Sequence, residues 1–424
     1  MNPQAEELNA VLQKDSPAIY RLLSERGKGI YYPKKGILAQ TAEAKGKGIN
    51  ATIGAAIEDD GTPMRLGSIE KQLSLNPSEA FSYAPSYGKP ELRTLWLEKI
   101  RQKNPSLKGR TSVPVVTCAV THGLTLAGYL FVGPGDHIIL TDKFWGNYRL
   151  IFENGFGGVL DFFDTFAKEG FNVGAFRKKL GSVKGKTTIL LNFPNNPSGY
   201  TVTQAEAREI IAAIKEHAEK GNDTLVICDD AYFGLVYEDG VYEESLFAQL
   251  ATLHERVLAM KLDGVTKEEY AWGFRVGFIT FACRGITEGV CAALEAKTAG
   301  AVRGTISNAP HISQSLVLKA FTSRSYAAEK SQKYSILKSR FEKVRQSLSD
   351  PKYLRYFKAL PFNSGYFMCI ELKHDAEPVR KRLLEAYDTG VISIGNMLRI
   401  AYSSVPESDI PQLFENIYKA CKEQ

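Results

Sequence analysis

The sequence predicts an α/β protein, with a large domain on a mainly parallel sheet and a smaller α+β domain. Three observations carry this. At 424 residues the chain exceeds the usual size of one hydrophobic core. From about Val113 onward, short apolar runs rich in β-branched residues alternate with amphipathic helical stretches, as expected of strands covered on both faces. From roughly residue 323 the pattern changes to a long charged helix, an antiparallel-looking patch and a terminal helix.

The strand expectations are, in order, VPVVTCAVTHG, DHIILTD, TTILLNF, TLVICDDAY and RVGFITFAC. Each is short, with an apolar centre and turn residues nearby. Between the third and fourth lies TQAEAREIIAAIKEHAEKG, a helix that starts at Thr203 and stops at Gly221. In the last hundred residues, PFNSGYFMCIEL and GVISIGNMLRIAYSS form the antiparallel patch.

Composition excludes several function classes. A hydrophobic fraction of 44% and a charged fraction of 24% describe an ordinary globular chain. The net charge of +6 is small, and its basic residues are scattered apart from residues 45–48 and the triplet Arg380, Lys381 and Arg382. That is no nucleic-acid surface. The first 15 residues lack the basic and apolar regions of a secretory signal, and no run of about 18 apolar residues offers a membrane span. The six cysteines show neither C-x-x-C pairs nor zinc spacing. The expectation is a cytoplasmic protein with reduced thiols and no metal.

One tempting motif is set aside. Gly181 to Thr187 looks like a phosphate-binding loop, but its glycine spacing is one residue short and it runs into a strand. A phosphate-binding loop opens a helix instead.

Five segments at the expected strand ends carry chemistry, because open α/β sheets bind ligands there. THGLTLAG offers a glycine-containing turn opening a helix, whose free N–H groups and dipole suit an anion. TDKFWGNY brings Trp145, although a lone Trp after a strand usually packs in a core. LNFPNNPSGYTVT holds a tight Asn-Pro-Ser-Gly turn between strand and helix. VICDDAYFG ends an apolar strand in Asp229, which is costly to bury unless it meets a cation. LDGVTKEEYAWGFRVGF places Lys267 eight residues before Arg275.

In this order the five segments resemble the fold-type I aminotransferases dependent on pyridoxal 5′-phosphate (PLP), class I/II, and among them the aspartate aminotransferase subgroup. The likeness spans nearly the whole chain. It implies an N-terminal arm and first part of a small domain at 1–64, a large PLP-binding domain at 65–320 and the rest of the small domain at 321–424. It implies that Lys267 holds PLP as a Schiff base and, once freed, serves as general base. Gly123, Leu124 and Thr125 would bind the cofactor phosphate with Arg275, and Trp145 would stack on the ring. Asp229 would pair with the ring nitrogen, while Asn196 and Tyr232 would bind its phenolic oxygen; Asp230 is left a peripheral or structural role.

Further matches extend the likeness. Tyr83 resembles a tyrosine that reaches the phosphate of a neighbouring subunit, implying a homodimer with shared sites. Gly54 matches a glycine that approaches substrate, and Arg399 an arginine that forks onto the α-carboxylate. Arg303 resembles the arginine that crosses the dimer interface to a side-chain carboxylate. Gly264 departs from the pattern, standing where the family has a serine that helps bind phosphate, so the hydroxyl is lost or Thr266 supplies it. The implied activity is ping-pong transfer of an amino group from an L-amino acid, aspartate or glutamate, to a 2-oxo acid such as 2-oxoglutarate. A PLP-dependent lyase or decarboxylase is the alternative, and a non-catalytic PLP-binding regulator a further one.

Overall fold

The structure, a computed structural model, describes all residues except 16, 18, 19, 21, 22 and 31–35, and the side chain of residue 38. Its centre is a seven-stranded sheet of β2 (Val115–Cys118), β3 (His137–Thr141), β4 (Val159–Phe163), β5 (Thr187–Asn192), β6 (Thr224–Asp229), β7 (Val257–Gly264) and β8 (Val276–Ala282). The spatial order is β2-β8-β7-β6-β5-β3-β4. All neighbours run parallel except around β8, which is antiparallel to both β2 and β7. The mainly parallel sheet is therefore present. Two strands lie beyond the sequence expectation, β4 and β7; β7 (VLAMKLDG) carries a lysine and an aspartate in its apolar run.

β5, β6 and β8 are buried along their entire lengths, the burial expected of a sheet with helices on both faces. The helix Gln204–Glu219 starts where expected: Thr203 accepts from the Glu206 N–H, and Glu206 reciprocates at the Thr203 N–H. Gly181 closes a helix and is followed by a turn into β5, while Lys186 pairs with Asp136, so this basic turn carries no phosphate loop.

A second sheet is formed by β9 (Phe357–Ala359), β10 (Met368–Leu372), β12 (Ile392–Ile394) and β13 (Met397–Ile400), antiparallel throughout in the order β9-β10-β13-β12. Between β10 and β12 comes β11 (Thr389–Gly390), which pairs in parallel with β1 (Ile49–Asn50). Gln40 binds Ser393 from the same N-terminal region. Both chain ends thus meet at one wall. Among the described residues no helix is long and apolar enough to cross a membrane, no group of side chains could hold a metal ion, and all six cysteines are free.

Candidate active site

The C-terminal ends of β5 and β6, the turn after β7 and the small sheet surround one cavity of about 420 Å³. Its lining includes Gly54, Trp145, Asn196, Asp229, Tyr232, Thr266, Lys267, Arg275 and Arg399, nine residues singled out from the sequence. Residues spread from position 54 to position 399 are brought together by the sheet topology alone.

Asp229 is the last residue of β6 and is 3% exposed. Burial pushes its carboxyl upward, opposed by the Tyr148 hydroxyl and by Lys267. Tyr148 donates to Oδ2 at 2.5 Å, and the Ala231 N–H donates to Oδ1 at 3.2 Å. Tyr148 also meets Trp145 edge-on, with ring centroids 5.6 Å apart. Asn192, at the end of β5, donates to the Asp229 carbonyl and accepts from the Asn196 N–H, tying the two strand ends to the turn. That turn is rigid: Ser198 donates to Asn195 Oδ1 through both N–H and hydroxyl. Gly199 has φ 73°, and a Cβ there would stand 1.8 Å from the Phe367 carbonyl oxygen. Only glycine fits.

Lys267 sits on a single helical turn, Val265–Glu268, directly after β7. Its amine lies 4.9 Å from the centroid of the Tyr232 ring. Burial lowers its pKa to about 8, with Asp229 opposing and Arg275 assisting. Burial raises the pKa of the Tyr232 hydroxyl, with Arg399 and Asn196 opposing. Arg399 is 3% exposed, stacks 4.5 Å over Phe367 and donates through Nη2 to the Thr52 carbonyl. Its Nε is buried without a partner, as is the Thr266 hydroxyl. Unpaired buried donors at a cavity wall call for a partner the protein does not supply, bound water or a polar ligand.

The three residues expected at the phosphate lie away from the cavity wall. The helix after β2 starts at Ala119, not at the glycine, because Ala119 takes φ 62° and turns the chain early. Val120 and Thr121 line the cavity, whereas Gly123, Leu124 and Thr125 do not. A Cβ on Gly123 would touch Leu262 at 3.2 Å, Leu124 is fully buried in the core, and the Thr125 hydroxyl donates to the Thr121 carbonyl. Tyr83 and Arg303 also lie outside this chain's cavity. Tyr83 is 89% exposed, and Arg303 holds Ser307, whose carbonyl binds Ser86 on the Tyr83 segment. The two share one outer surface.

The sequence reading missed Tyr148, Asn192, Thr52 and Trp272, all of which line the cavity. Tyr148 was within reach, three residues after Trp145 and so on the same side of a helical turn. Gly264 now has a physical reason. A Cβ there would lie 2.6 Å from the Val276 carbonyl oxygen and 2.8 Å from the Gly277 Cα. Gly277 in turn lies against Ala119, so the Lys267 turn, β8 and the helix start close on one another. Gly264→Ser is expected to lower stability by about 1–3 kcal/mol through overpacking, read from the denaturant midpoint. An unchanged midpoint would show that the backbone relaxes freely.

A family model for aminotransferase class I and II matches residues 56–417. The chain belongs to the class I and II aminotransferases. Among curated relatives, an aspartate aminotransferase of Bacillus sp. (strain YM-2) is 24% identical over 57% of this chain and 59% of its own. An aspartate/prephenate aminotransferase of Thermus thermophilus is 29% identical over 46% and 47%. The matched stretch thus spans about half of these relatives' lengths. Among solved structures, an aminotransferase of Anaerococcus prevotii superposes with a TM-score of 0.83 at 24% identity, covering 94% of this chain and 98% of that one. Aspartate aminotransferase of Thermus thermophilus with maleate gives 0.74 at 20%, over 94% and 99%. These place the fold as type I.

PLP is the cofactor of this family. The cavity fits it: a buried carboxylate for a ring nitrogen, an aromatic face, an amine of lowered pKa, an unpaired hydroxyl and an arginine for phosphate. Capture of the PLP aldehyde by an amine requires the neutral form, and Lys267 is the cavity amine of lowered pKa. The rate of capture by the apo-protein is expected to climb about tenfold per pH unit below 8 and to level off above it. A midpoint near that of an ordinary lysine would mean another lysine reacts.

Proposed function

We propose that this protein transfers the amino group of an L-amino acid, aspartate or glutamate, to a 2-oxo acid such as 2-oxoglutarate by a ping-pong mechanism. The observation that carries it is the meeting of Lys267, Asp229, Asn196, Tyr232, Arg275 and Arg399 around one cavity.

Bound there, PLP supplies the electron sink for the bond broken at the amino acid's Cα. Lys267 would hold the cofactor and, when free, would move the Cα proton; its lowered pKa leaves a useful neutral fraction near pH 7. Asp229 would hold a proton on the ring nitrogen, with Tyr148 and the Ala231 N–H fixing the carboxylate for that task. Asn196 and Tyr232 would bind the phenolic oxygen, and Trp145 would stack on the ring. Arg275, Thr266 and the helix start at Val120 and Thr121 serve the phosphate, the roles first assigned to Gly123, Leu124 and Thr125. Arg399 forks onto the α-carboxylate beside Gly54, with the Thr52 carbonyl holding the guanidinium in place.

We assign the chain a large domain at 65–320 and a small domain drawn from 1–64 and 321–424, with both ends meeting at the wall that carries Arg399. The protein works as a cytoplasmic homodimer in this reading. The dimer is supported by the outer surface that Tyr83 and Arg303 share, from which each would reach a partner's cavity, Tyr83 toward phosphate and Arg303 toward a side-chain carboxylate.

The test is the visible spectrum of the purified holoenzyme. L-aspartate alone should bleach the cofactor band and 2-oxoglutarate should restore it. A band untouched by aspartate but bleached by another amino acid would overturn the dicarboxylate assignment. Pyruvate or carbon dioxide released without any 2-oxo acid acceptor would favour the lyase or decarboxylase reading.

A further inference from the structure

The turn that carries Lys267 has an unusual underside. One turn of helix does not hold itself together in water, and this one is followed by two non-glycine residues in left-handed conformations, Tyr270 at φ 54° and Arg275 at φ 55°. Lys267 enters the cavity. The next two residues, Glu268 and Glu269, line no part of it and are buried, with side chains 3% and 0% exposed. Adjacent carboxylates in a protein interior are costly unless cations meet them.

Those cations come from two helices. Lys103, at the end of Pro90–Lys103, reaches Glu268 at 2.6 Å. Lys330, near the start of the long helix Tyr326–Leu348, bridges Glu268 and Glu269 at 2.9 Å each. The Tyr326 hydroxyl lies 2.8 and 2.7 Å from the two oxygens of Glu269. Tyr366 holds the Lys267 carbonyl itself at 3.0 Å. The anchoring continues into the sheet. Lys261 on β7 pairs with Asp230, the neighbour of Asp229, and with Asp263, which also accepts from Trp96. Asp230, expected to have a peripheral or structural role, is a buried member of this network. Further along, the long helix donates from Arg340 to the Ser403 carbonyl and pairs with Asp59, close in sequence to Arg399 and Gly54.

We infer that Glu268 and Glu269, gripped by Lys103, Lys330 and Tyr326, are positioning residues that fix where the Lys267 amine is delivered in the cavity. Apolar side chains would stabilise this interior as well as or better than ion pairs, whereas ion pairs and hydrogen bonds impose direction. The network is concentrated where direction matters, on both sides of one reactive amine. The inference rests on Lys267 being the residue that holds PLP and moves the proton.

The experiment compares holoenzymes carrying Lys330→Met and Lys330→Arg with the parent, using a saturating amino acid and its Cα-deuterated form. For Lys330→Met the maximal rate of bleaching should fall at least tenfold, with the half-saturating concentration within twofold of the parent. The deuterium isotope effect should grow, because a displaced amine slows proton transfer in particular. Covalent capture of PLP by the apo-protein should slow as well, and Lys330→Arg should recover most of the loss. A lowered melting temperature with parental rate, isotope effect and capture would overturn the proposal and leave the network a stabilising one. If Lys330→Met fails to fold, Tyr326→Phe removes the contacts to Glu269 without stranding a charge and is read by the same isotope effect. Borohydride reduction of the parent followed by peptide mapping separates the two readings. PLP trapped on a lysine other than Lys267 overturns the underlying assignment, whereas PLP on Lys267 with parental behaviour in the variants overturns the positioning role alone.

Discussion

Lys267→Ala is expected to lower turnover by roughly 10⁴-fold or more, the upper range for removing a positioned acid–base group. The same change removes the covalent anchor, so the visible band of the bound cofactor should shift to that of free PLP. Lys267→Arg should do no better, because a guanidinium stays protonated and neither captures the aldehyde nor accepts the Cα proton. The cavity would retain Asp229, Asn196, Tyr232 and Arg275, so PLP should still bind without a covalent bond. Retained turnover in Lys267→Ala would remove the central assignment. Retained binding with lost turnover, measured by equilibrium dialysis beside steady-state rates, is the expected pair.

Arg399→Ala should raise the half-saturating amino-acid concentration by roughly 30- to 1000-fold, the cost of truncating one partner of a buried charge pair. The guanidinium is 3% exposed, and its Nε has no partner in the protein. A substrate carboxylate therefore meets a cation already stripped of water and already oriented by the Thr52 carbonyl and the Phe367 ring. Little has to be rearranged on binding, which is why the effect should be large. Arg399→Lys should recover only part of it, because an ammonium cannot fork onto two oxygens. The amino-acid KM in steady-state assays checks this. An unchanged value would move the carboxylate site to another residue.

Much of the site could be read from the chain because the informative residues stand at strand ends in a fixed order. Asp229 closes β6, Asn196 follows β5, and Lys267 and Arg275 bracket the turn between β7 and β8. The features that escaped have physical reasons. The helix after β2 begins at Ala119 because that residue adopts a left-handed backbone, a conformation that no alanine announces. β7 offers no clean apolar run because Lys261 and Asp263 interrupt it; Lys261 pairs both with Asp263 beside it and with Asp230 on the neighbouring β6. Tyr148 required knowledge of what faces Asp229 across 81 positions. Tyr83 and Arg303 lie outside the cavity, and the roles proposed for them need a second subunit.

The pairing of β1 with β11 has a consequence for how the protein is made. Residues 49–50 can find their partners only when residues 389–390 exist, some 340 positions later in the sequence. At a synthesis rate of 5–20 residues per second, the early segment waits roughly 17–70 seconds. For that interval the apolar stretch around Ala51, Ile53 and Ala56 has no partner strand to cover it. The sheet holding Asp229 and Lys267 can assemble during the wait, but the wall with Arg399 cannot. A nascent chain thus completes the part with Asp229 and Lys267 before the wall with Arg399 has closed on it.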